Sequence, residues 1–413
     1  MTRRLVLLLL LFLCWWASAG QAQAPASDLK PTVILVSFDG WRWDYAQKYS
    51  PPTVMQLMQQ GVSTALIPSF PSKTFPNHYT IVTGLYPGHH GIVANSVKDP
   101  PTGRRLLMSN RKEVQDALWW GGEPLWVTSQ RAGQPAAPLF WPGSEAPIQG
   151  EWARFWEPFD EKVPANARVD RLLSWLDLPA AQRPTFLTVY FSDVDGAGHA
   201  YGPDSRAVAD AVRRVDRYLD RLMRGLERRR LKDRVNLVIV SDHGMAETNV
   251  DRVVVLDDYL SLDDVDVIDL NPTLGLFPPP DREEAVYQAL VRAHPRLKVF
   301  RKAETPAHWH YRDHPRIPPI VGVADEGWQV LRRSALTGQL ARASRGPTGA
   351  HGYDPATAMS MRGIFVASGP AFKSGVAVPP FENVHIYDAL VKVLGLTPAA
   401  NDGDPRIAQS LLR

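Results

Sequence analysis

The stretch Thr32-Val33-Ile34-Leu35-Val36-Ser37-Phe38 decides the fold class of this chain. It is a continuous run of apolar and β-branched residues, which is typical of a strand that is buried on both faces of a parallel sheet. The run ends in Asp39-Gly40. Open α/β sheets bind ligands at the carboxyl ends of their strands, so Asp39 is a candidate ligand-binding residue. In isolation, a role in a turn or a cap is the more common one for such a residue.

Two further buried strands are predicted downstream, at residues 186–191 and 235–240. Acidic and imidazole side chains follow them closely: Asp193, Asp195 and His199 after the first, Asp242 and His243 after the second. Parallel strands end at one edge of a sheet, so these groups are expected near Asp39. Two glycines between Asp195 and His199 would let the backbone bend tightly, so that both side chains face one point. Spacing alone leaves Asp193 open as an alternative to Asp195.

Strands, loops and helices alternate along the rest of the chain. Further strands are predicted at 137–141 and 363–367, and helices at 51–61 (with Gly61 at C′), 123–133, 167–176, 204–230, 283–293 and 384–394. The helix at 204–230 has the clearest pattern, because its apolar residues recur at alternating steps of four and three. The alternation predicts an α/β fold with a largely parallel central sheet and helices on both faces. Residues 251–330 form the least regular stretch.

The segment from Ser69 to Asn95 contains the candidate nucleophile, Thr74. This residue lies two positions before Pro76, and proline is well suited to the first turn of a helix. Thr74 is therefore predicted at or just before a helix N-terminus, where backbone N–H groups and the helix dipole favour phosphate-like anions. The alternative is that Thr74 acts only as an N-cap.

Three carboxylates and three imidazoles are expected at the same sheet edge: Asp39, Asp195, Asp242, His199, His243 and His351. They are enough to bind two divalent metals, and a mixture of Asp and His without Cys suits Zn²⁺. Two metals can support an in-line displacement at phosphorus and activate a threonine hydroxyl, which is otherwise a poor nucleophile. His308, His310 and His314 form a weaker metal candidate, because no acidic partner recurs at ligand spacing.

The first 24 residues have the features of a secretory signal peptide. Arg3 and Arg4 precede an apolar run at 5–16, and small residues follow it. The run is shorter than the about 20 residues that a membrane span requires, so we expect cleavage and no stable membrane insertion; an uncleaved anchor is the alternative. The only cysteine, Cys14, would leave with this segment. An exported chain without disulfides fits a bacterial periplasm.

The charge balance argues against partners that are recognised by bulk charge. The chain has 46 basic and 43 acidic side chains, so no nucleic-acid polymer or membrane surface is predicted as a partner. The absence of cysteine from the mature chain also excludes a thiol nucleophile and a Cys–Zn site.

Several motifs resemble the nucleotide pyrophosphatase/phosphodiesterase family of the alkaline phosphatase superfamily. They are Lys73-Thr74-Phe75-Pro76-Asn77-His78-Tyr79, Thr83-Gly84-Leu85-Tyr86-Pro87, His90-Gly91-Ile92, Phe140-Trp141-Pro142-Gly143-Ser144, Asp195-Gly196-Ala197-Gly198-His199, Ser241-Asp242-His243-Gly244-Met245 and His351-Gly352-Tyr353-Asp354. The resemblance runs in order from about residue 32 to 402. It implies an alkaline-phosphatase-like fold and one catalytic domain over residues 25–413, as in a bacterial secreted single-domain member.

The resemblance also implies roles for individual residues. One zinc would be held by Asp195, His199 and His351, and the other by Asp39, Thr74, Asp242 and His243. Thr74 would be the nucleophile, and Asn95 and the backbone N–H of Phe75 would bind the phosphate oxygens. The nucleotide base would contact Phe75, Phe159 and Tyr190. Lys73 would add charge near the phosphate, or would be a solvated side chain, while His78 and His89 are expected to support the loop and not to bind metal.

The implied activity is hydrolysis of nucleotide phosphodiester or pyrophosphate bonds to nucleoside 5′-monophosphates through a phosphothreonine at Thr74. A related enzyme that acts on lysophospholipids, choline phosphodiesters or phosphate monoesters is the first alternative. A metal-binding protein without turnover is the second. The aromatic residues Phe75, Phe159 and Tyr190 favour a planar base over a lipid tail.

Overall fold

The computed structural model describes residues 28–343 and 346–413 of the 413-residue chain. The predicted signal peptide at 1–24, with Cys14, lies outside the described residues. Among the helices that are described, none has both the length and the apolar character needed to cross a bilayer. The predicted extent of the catalytic domain, 25–413, stays a prediction.

The described residues form eighteen β-strands and thirteen α-helices. The strands are β1 Val33–Phe38, β2 Val62–Ile67, β3 Ser96–Lys98, β4 Arg105–Leu107, β5 Ala136–Leu139, β6 Phe186–Phe191, β7 Asn236–Val240, β8 Ala246–Thr248, β9 Val253–Val255, β10 Asp266–Leu270, β11 Thr273–Phe277, β12 Leu297–Arg301, β13 Ile320–Ala324, β14 Gln329–Leu331, β15 Thr348–Ala350, β16 Gly363–Ser368, β17 Val376–Ala377 and β18 Phe381–Glu382. The helices are α1 Tyr45–Tyr49, α2 Pro52–Gln60, α3 Thr74–Thr83, α4 Pro87–His90, α5 Arg111–Val114, α6 Leu125–Arg131, α7 Ala165–Leu176, α8 Asp193–Tyr201, α9 Arg206–Arg228, α10 Glu283–Leu290, α11 Arg333–Ala343, α12 Ile386–Leu394 and α13 Pro405–Leu411. Short 3-10 turns lie at Ala117–Trp119, Leu256–Asp258, Pro280–Arg282, Lys302–Glu304, Ala307–Trp309, Met359–Met361 and Asn383–His385.

The central sheet has eight strands, in the order β17-β2-β16-β7-β1-β6-β5, with β18 also paired to β2. Strands β5, β6, β1 and β7 run parallel to one another. Strand β16 runs antiparallel to both of its neighbours, β2 and β7. The predicted α/β fold with a largely parallel central sheet is therefore confirmed.

Helices cover both faces of this sheet, because successive side chains of a strand point to opposite faces and the inner strands carry apolar side chains on both. In β1, Val33 and Leu35 pack with residues of α3 and α12, whereas Ile34 and Val36 pack on the opposite face with residues of α7 and α9. The strand at 33–38 is thus buried on both sides, as its uniform apolar character predicts.

The stretch at 251–330 contains a second sheet. Its four strands are antiparallel, in the order β10-β11-β13-β12, and they share a hydrophobic cluster with α10. Helix α10 ends at Leu290, three residues before the predicted end. The predicted strand at 137–141 is β5, Ala136–Leu139.

Gly61 has a different role from the predicted helix cap. Its φ is −131°, which is not the left-handed conformation typical of a glycine at C′. A Cβ at this position would lie 2.1 Å from the carbonyl oxygen of Ala367 in β16. Glycine is therefore required by the close approach of α2 to the sheet.

Candidate active site

The parallel strands bring two of the predicted acidic residues to one edge of the sheet. In the register of the sheet, Phe38 in β1 pairs with Phe191 in β6, and Ser37 pairs with Val240 in β7. Asp39 therefore directly follows β1, and Asp242 lies two residues beyond the end of β7. The Gly40 N–H lies 3.3 Å from Asp242 Oδ1, so the two loops are in contact.

Asp195 and His199 reach this edge from a helix and not from a tight bend, so that expectation was wrong. They lie four residues apart in α8, on one face of the helix. The Asp195 N–H donates to the carbonyl of Asp39 at 3.0 Å. Gly40 makes this approach possible, because it has a φ of +69° and a Cβ there would lie 2.8 Å from the Cα of Asp195. Asp193 points elsewhere and accepts from Arg214 Nε at 3.1 Å.

Thr74 is the first residue of α3, and Lys73 is the N-cap. The Thr74 hydroxyl does not cap the helix. Its Oγ1 lies 3.3 Å from Nε2 of His243, so it faces the cluster of acidic and imidazole groups. The structure thus places the hydroxyl where a helix N-terminus and this cluster meet.

The three imidazoles of the cluster are oriented in the same way. Each has its Nδ1 2.9 Å from a backbone carbonyl oxygen: His199 from Gly349, His243 from Gly244 and His351 from Ser72. An Nδ1–H that donates to a carbonyl leaves a lone pair on Nε2, as in histidines that bind metals. Burial, and next the neighbouring His243, lower the pKa of His351 well below its usual range, which favours the neutral ring. The Nε2 atoms of His199 and His351 lie 3.1 Å apart.

The three carboxylates each present one buried oxygen without a hydrogen-bond partner. These atoms are Asp39 Oδ1, Asp195 Oδ1 and Asp242 Oδ2. Each lies 3.0 to 3.3 Å from an imidazole Nε2 of the cluster. Buried polar atoms without partners are rare in native structures and require an explanation.

A bound cation would resolve this arrangement, because it would bind the orphaned carboxylate oxygens and the Nε2 lone pairs together. The pKa values of Asp39 and His243 also indicate an excess of negative charge in the cluster. Burial, followed by the charges of Asp242 and Asp195, raises the pKa of Asp39 well above its usual range. Although burial opposes it, the Asp242 carboxylate raises the pKa of His243 to about 10. The donor set therefore fits a divalent metal such as zinc.

Two groups of possible ligands have donor atoms within mutual reach: Asp195, His243 and His351 in one, Asp39, His78 and Asp242 in the other. This grouping differs from the predicted zinc sites, because His243 falls with Asp195 and His351, and His199 falls in neither group. His78 is a poor ligand candidate, because both of its nitrogens are engaged. Its Nε2 lies 2.7 Å from Ser37 Oγ and its Nδ1 lies 2.9 Å from the Thr74 carbonyl. His78 thus supports the start of α3.

The two groups expected to bind phosphate oxygens contact each other. The Phe75 N–H donates to Asn95 Oδ1 at 2.9 Å. This bond leaves the Nδ2 amide of Asn95 as a donor, and the Phe75 N–H would need to exchange its partner on substrate binding.

Lys73 is not a solvated side chain, so that alternative is wrong. The residue is 4% exposed, and its Nζ lies 2.6 Å from Asp269 Oδ1. It forms a buried ion pair with the second sheet.

A cavity of about 240 Å³ opens beside Thr74. It contains the three predicted base-contacting residues, Phe75, Phe159 and Tyr190. The Tyr190 hydroxyl donates to Asp39 Oδ2 at 2.5 Å, so this residue also holds a carboxylate of the cluster. We call this space the base cavity.

Sequence reasoning missed Met108, Arg111 and Glu145, which also line the base cavity. Glu145 is 3% exposed, and its carboxylate accepts from Arg111 Nη2 and from the Phe159 N–H. Glu145 directly follows the Phe140–Ser144 motif, and this position was the available signal. Arg111 lies in a helix of four residues, and no sequence pattern indicated its role.

His89, His308 and His310 have partners outside the cluster. His308 Nε2 lies 3.2 Å from Asp354 Oδ2, and His310 stacks on Tyr86 with ring centroids 3.9 Å apart. His89 pairs with Asp402 at 2.6 Å. Neither His308, His310 nor His314 belongs to a group of possible metal ligands among the residues described.

Comparisons with known proteins match most of this chain. The family model of type I phosphodiesterase / nucleotide pyrophosphatase matches residues 33–354. Human ectonucleotide pyrophosphatase/phosphodiesterase family member 5 is 36% identical over 382 residues, covering 92% of this chain and 78% of that protein. An uncharacterized pyrophosphatase/phosphodiesterase of Schizosaccharomyces pombe is 38% identical over 384 residues, covering 90% and 78%. A solved structure of murine ectonucleotide pyrophosphatase/phosphodiesterase 5 has a TM-score of 0.86 at 35% identity, covering 92% of this chain and 100% of that one. Another is of an inactive threonine-to-alanine variant of the murine protein in complex with AMP.

Proposed function

The chain belongs to the type I phosphodiesterase / nucleotide pyrophosphatase family of hydrolases, and we propose that it cleaves nucleotide phosphodiester or pyrophosphate bonds to nucleoside 5′-monophosphates. One observation carries the proposal. Three buried carboxylate oxygens without hydrogen-bond partners lie within 3.6 Å of the Nε2 atoms of His199, His243 and His351, beside the Thr74 hydroxyl.

The cluster would hold two zinc ions per chain. Asp195, His199 and His351 would bind one, and Asp39, Asp242 and His243, together with Thr74, would bind the other. Bound zinc would supply the positive charge that lowers the pKa of a hydroxyl and stabilises the oxygens of an in-line displacement.

Thr74 acts as the nucleophile in this proposal. In the first step the bond from Oγ1 to phosphorus forms, the bond from phosphorus to the leaving oxygen breaks, and the proton of the hydroxyl passes to the leaving oxygen. In the second step water attacks phosphorus, the bond from phosphorus to Oγ1 breaks, and one proton of the water returns to Oγ1. Two in-line steps give net retention at phosphorus. Asn95 and the Phe75 N–H would bind the non-bridging oxygens.

The nucleoside would occupy the base cavity. Phe75 and Phe159 offer aromatic faces for stacking, and the complex of the murine relative with AMP supports a nucleotide as the ligand. Lys73 and Arg111, two described cationic side chains near the cluster, are both paired with carboxylates. This pairing favours a singly charged diester over a doubly charged monoester.

We further propose that the chain is a bacterial, exported, single-domain enzyme that works in the periplasm after loss of residues 1–24. This part of the proposal depends on the signal-like sequence at the N-terminus. Sequencing the N-terminus of the mature protein from a periplasmic extract tests it, and an intact residue 1 would contradict it.

The enzymatic proposal is tested by measuring zinc per chain on protein purified without chelator, together with hydrolysis of three substrates. We expect two zinc ions and faster turnover of the p-nitrophenyl ester of thymidine monophosphate than of p-nitrophenyl phosphate or p-nitrophenyl phosphorylcholine. A preference for the monoester or the choline diester would support the catalytic site but contradict the proposed nucleotide substrate. Absence of zinc, with no activity after zinc is added, would contradict the proposal as a whole.

A further inference from the structure

Arg168 is a buried cation without an ion-pair partner. It is the fourth residue of α7 and is 5% exposed. Among the described residues no carboxylate forms an ion pair with it, and the residues outside the described ranges contain no Asp or Glu. A buried charge is costly unless it is paired, and the first turn of a helix is an unfavourable place for a cation. The fold therefore keeps a guanidinium where an apolar side chain of similar volume would cost less.

The guanidinium donates hydrogen bonds to three backbone carbonyls instead. Its Nε donates to Val163 at 3.0 Å, its Nη2 to Glu161 at 3.2 Å and its Nη1 to Tyr190 at 3.0 Å. Strand β5 pairs with β6 as far as the residue before Tyr190, so this carbonyl lies just beyond the paired part of β5. Arg168 thus joins the end of the sheet to the loop that follows Phe159.

The same side chain also contacts Phe140. The guanidinium carbon lies 5.1 Å from the centroid of the Phe140 ring, within the range of a cation–π contact. Phe140 has a φ of +60°, a left-handed conformation that is unfavourable for a bulky residue and persists only where surrounding contacts hold it. The Phe159 ring contacts the rings of Phe140 and Tyr190, with centroids 5.4 Å and 6.0 Å apart. Two residues that contact Phe159 are thus held by Arg168.

We propose that Arg168 is a positioning residue that holds the Phe159 ring in the orientation in which it stacks on a nucleobase. Arg168 does not line the base cavity, so it acts through Phe159 and not by contact with the substrate. A planar side chain with several donors can bond three carbonyls and cover an aromatic ring at the same time, which explains why an arginine is kept at this place. The inference rests on the proposed function.

The test uses two diesters and the zinc-loaded full chain. The p-nitrophenyl ester of thymidine monophosphate carries a base, and bis(p-nitrophenyl) phosphate does not, so the ratio of their kcat/KM values measures the contribution of the base. Arg168→Lys keeps the charge but cannot reach three carbonyls, and Arg168→Met removes the charge and every donor. Through a higher KM for the thymidine ester, the ratio should fall about fivefold in Arg168→Lys and about tenfold in Arg168→Met, and no further than in Phe159→Ala, which removes the stacking ring itself.

A double-mutant cycle distinguishes positioning of Phe159 from a general structural role. In a chain that already carries Phe159→Ala, Arg168→Lys should lower the ratio by less than about twofold, because the ring through which it acts is gone. Effects of the two substitutions that multiply would overturn the inference. Equal losses with both diesters in the single variant would also overturn it, because the base would then not be involved. Arg168→Lys decides the question alone if Arg168→Met does not fold.

Arg229→Lys is the matched control. Arg229 is the C-cap of α9, and its guanidinium also donates to a backbone carbonyl, that of Gly225 at 3.1 Å, and to the carboxylate of Asp177. Its substrate ratio should equal that of the wild type, and an equal fall in this control would contradict a specific role of Arg168. If the wild-type chain cleaves neither diester, the proposed function has failed. If it cleaves both and the Arg168 variants keep its ratio, only this inference has failed.

Discussion

The edge of the parallel sheet and the small antiparallel sheet contribute to this site in different ways. Asp39 follows β1 directly and Asp242 follows β7 closely, so the register of the parallel sheet sets their positions. The antiparallel sheet reaches the centre through the side chain of Asp269, which pairs with Lys73. The parallel edge thus positions the candidate catalytic residues, whereas the antiparallel sheet contacts the site through one buried ion pair.

The largest expected effect belongs to Thr74, at the parallel edge. Thr74→Ala removes the attacking oxygen, so kcat for the p-nitrophenyl ester of thymidine monophosphate should fall by about 10⁴-fold or more. In the proposed ligand sets three protein ligands of each zinc remain, so zinc per chain should stay near two. Steady-state kinetics and elemental analysis measure the two quantities.

Thr80→Ala is the control for this variant, since Thr80 lies on the same helix and its hydroxyl lies 3.0 Å from His90 Nε2. It should keep most of the activity. Turnover close to the wild-type value in Thr74→Ala would exclude a covalent intermediate on this residue.

The next effect concerns the metal ligands. Asp195→Asn removes an orphaned carboxylate oxygen, and zinc per chain should fall from two toward one. Loss of a group that only hydrogen-bonds to a metal ligand lowers activity by up to about 100-fold, and we expect a larger fall here. Asp193→Asn is the matched control on the same helix, because this carboxylate faces Arg214. Equal zinc loss in both variants would contradict the assignment of Asp195 over Asp193.

The base cavity should affect substrate binding and have little effect on the chemistry. Phe159→Ala removes an aromatic face, and loss of base stacking costs about 1–3 kcal/mol. We expect KM for the thymidine ester to rise about tenfold, with less than a twofold change for bis(p-nitrophenyl) phosphate, which lacks a base. Phe159→Tyr should restore the binding. An equal loss with both diesters would mean that Phe159 supports the fold and does not contact the base.

Sequence patterns predicted the parallel edge much better than the rest of the site. Asp39 and Asp242 follow largely apolar runs, and such runs predict both the strand and its end. Asp195 and His199 were identified from the same region, but the two glycines were interpreted as a bend, although the segment is helical. A helix also brings the side chains of Asp195 and His199 together, because residues four apart lie on the same face.

The polar side chains around the cluster were harder to predict from the sequence, because their partners lie far away in the chain. Lys73 and Asp269 are 196 residues apart, and neither carries a local pattern that indicates its partner. Arg111 and Glu145 lie in short elements or loops, where periodicity provides no signal. Strand β10 is half-buried along its whole length, so it lacks the apolar run from which β1 was predicted.

The smallest expected effect lies in the antiparallel sheet itself. Thr273 is 3% exposed, and its hydroxyl donates to Asp269. Thr273→Val removes this bond and should lower the free energy of unfolding by about 1 kcal/mol, the usual net value of a buried hydrogen bond. The rate with the thymidine ester should change less than twofold, since Asp269 keeps its pairing with Lys73 and the parallel edge is untouched. Denaturant unfolding and steady-state kinetics on the same preparation measure both quantities. A loss of activity larger than the loss caused by Phe159→Ala would mean that the antiparallel sheet takes part in the chemistry, and the division between the two regions would be wrong.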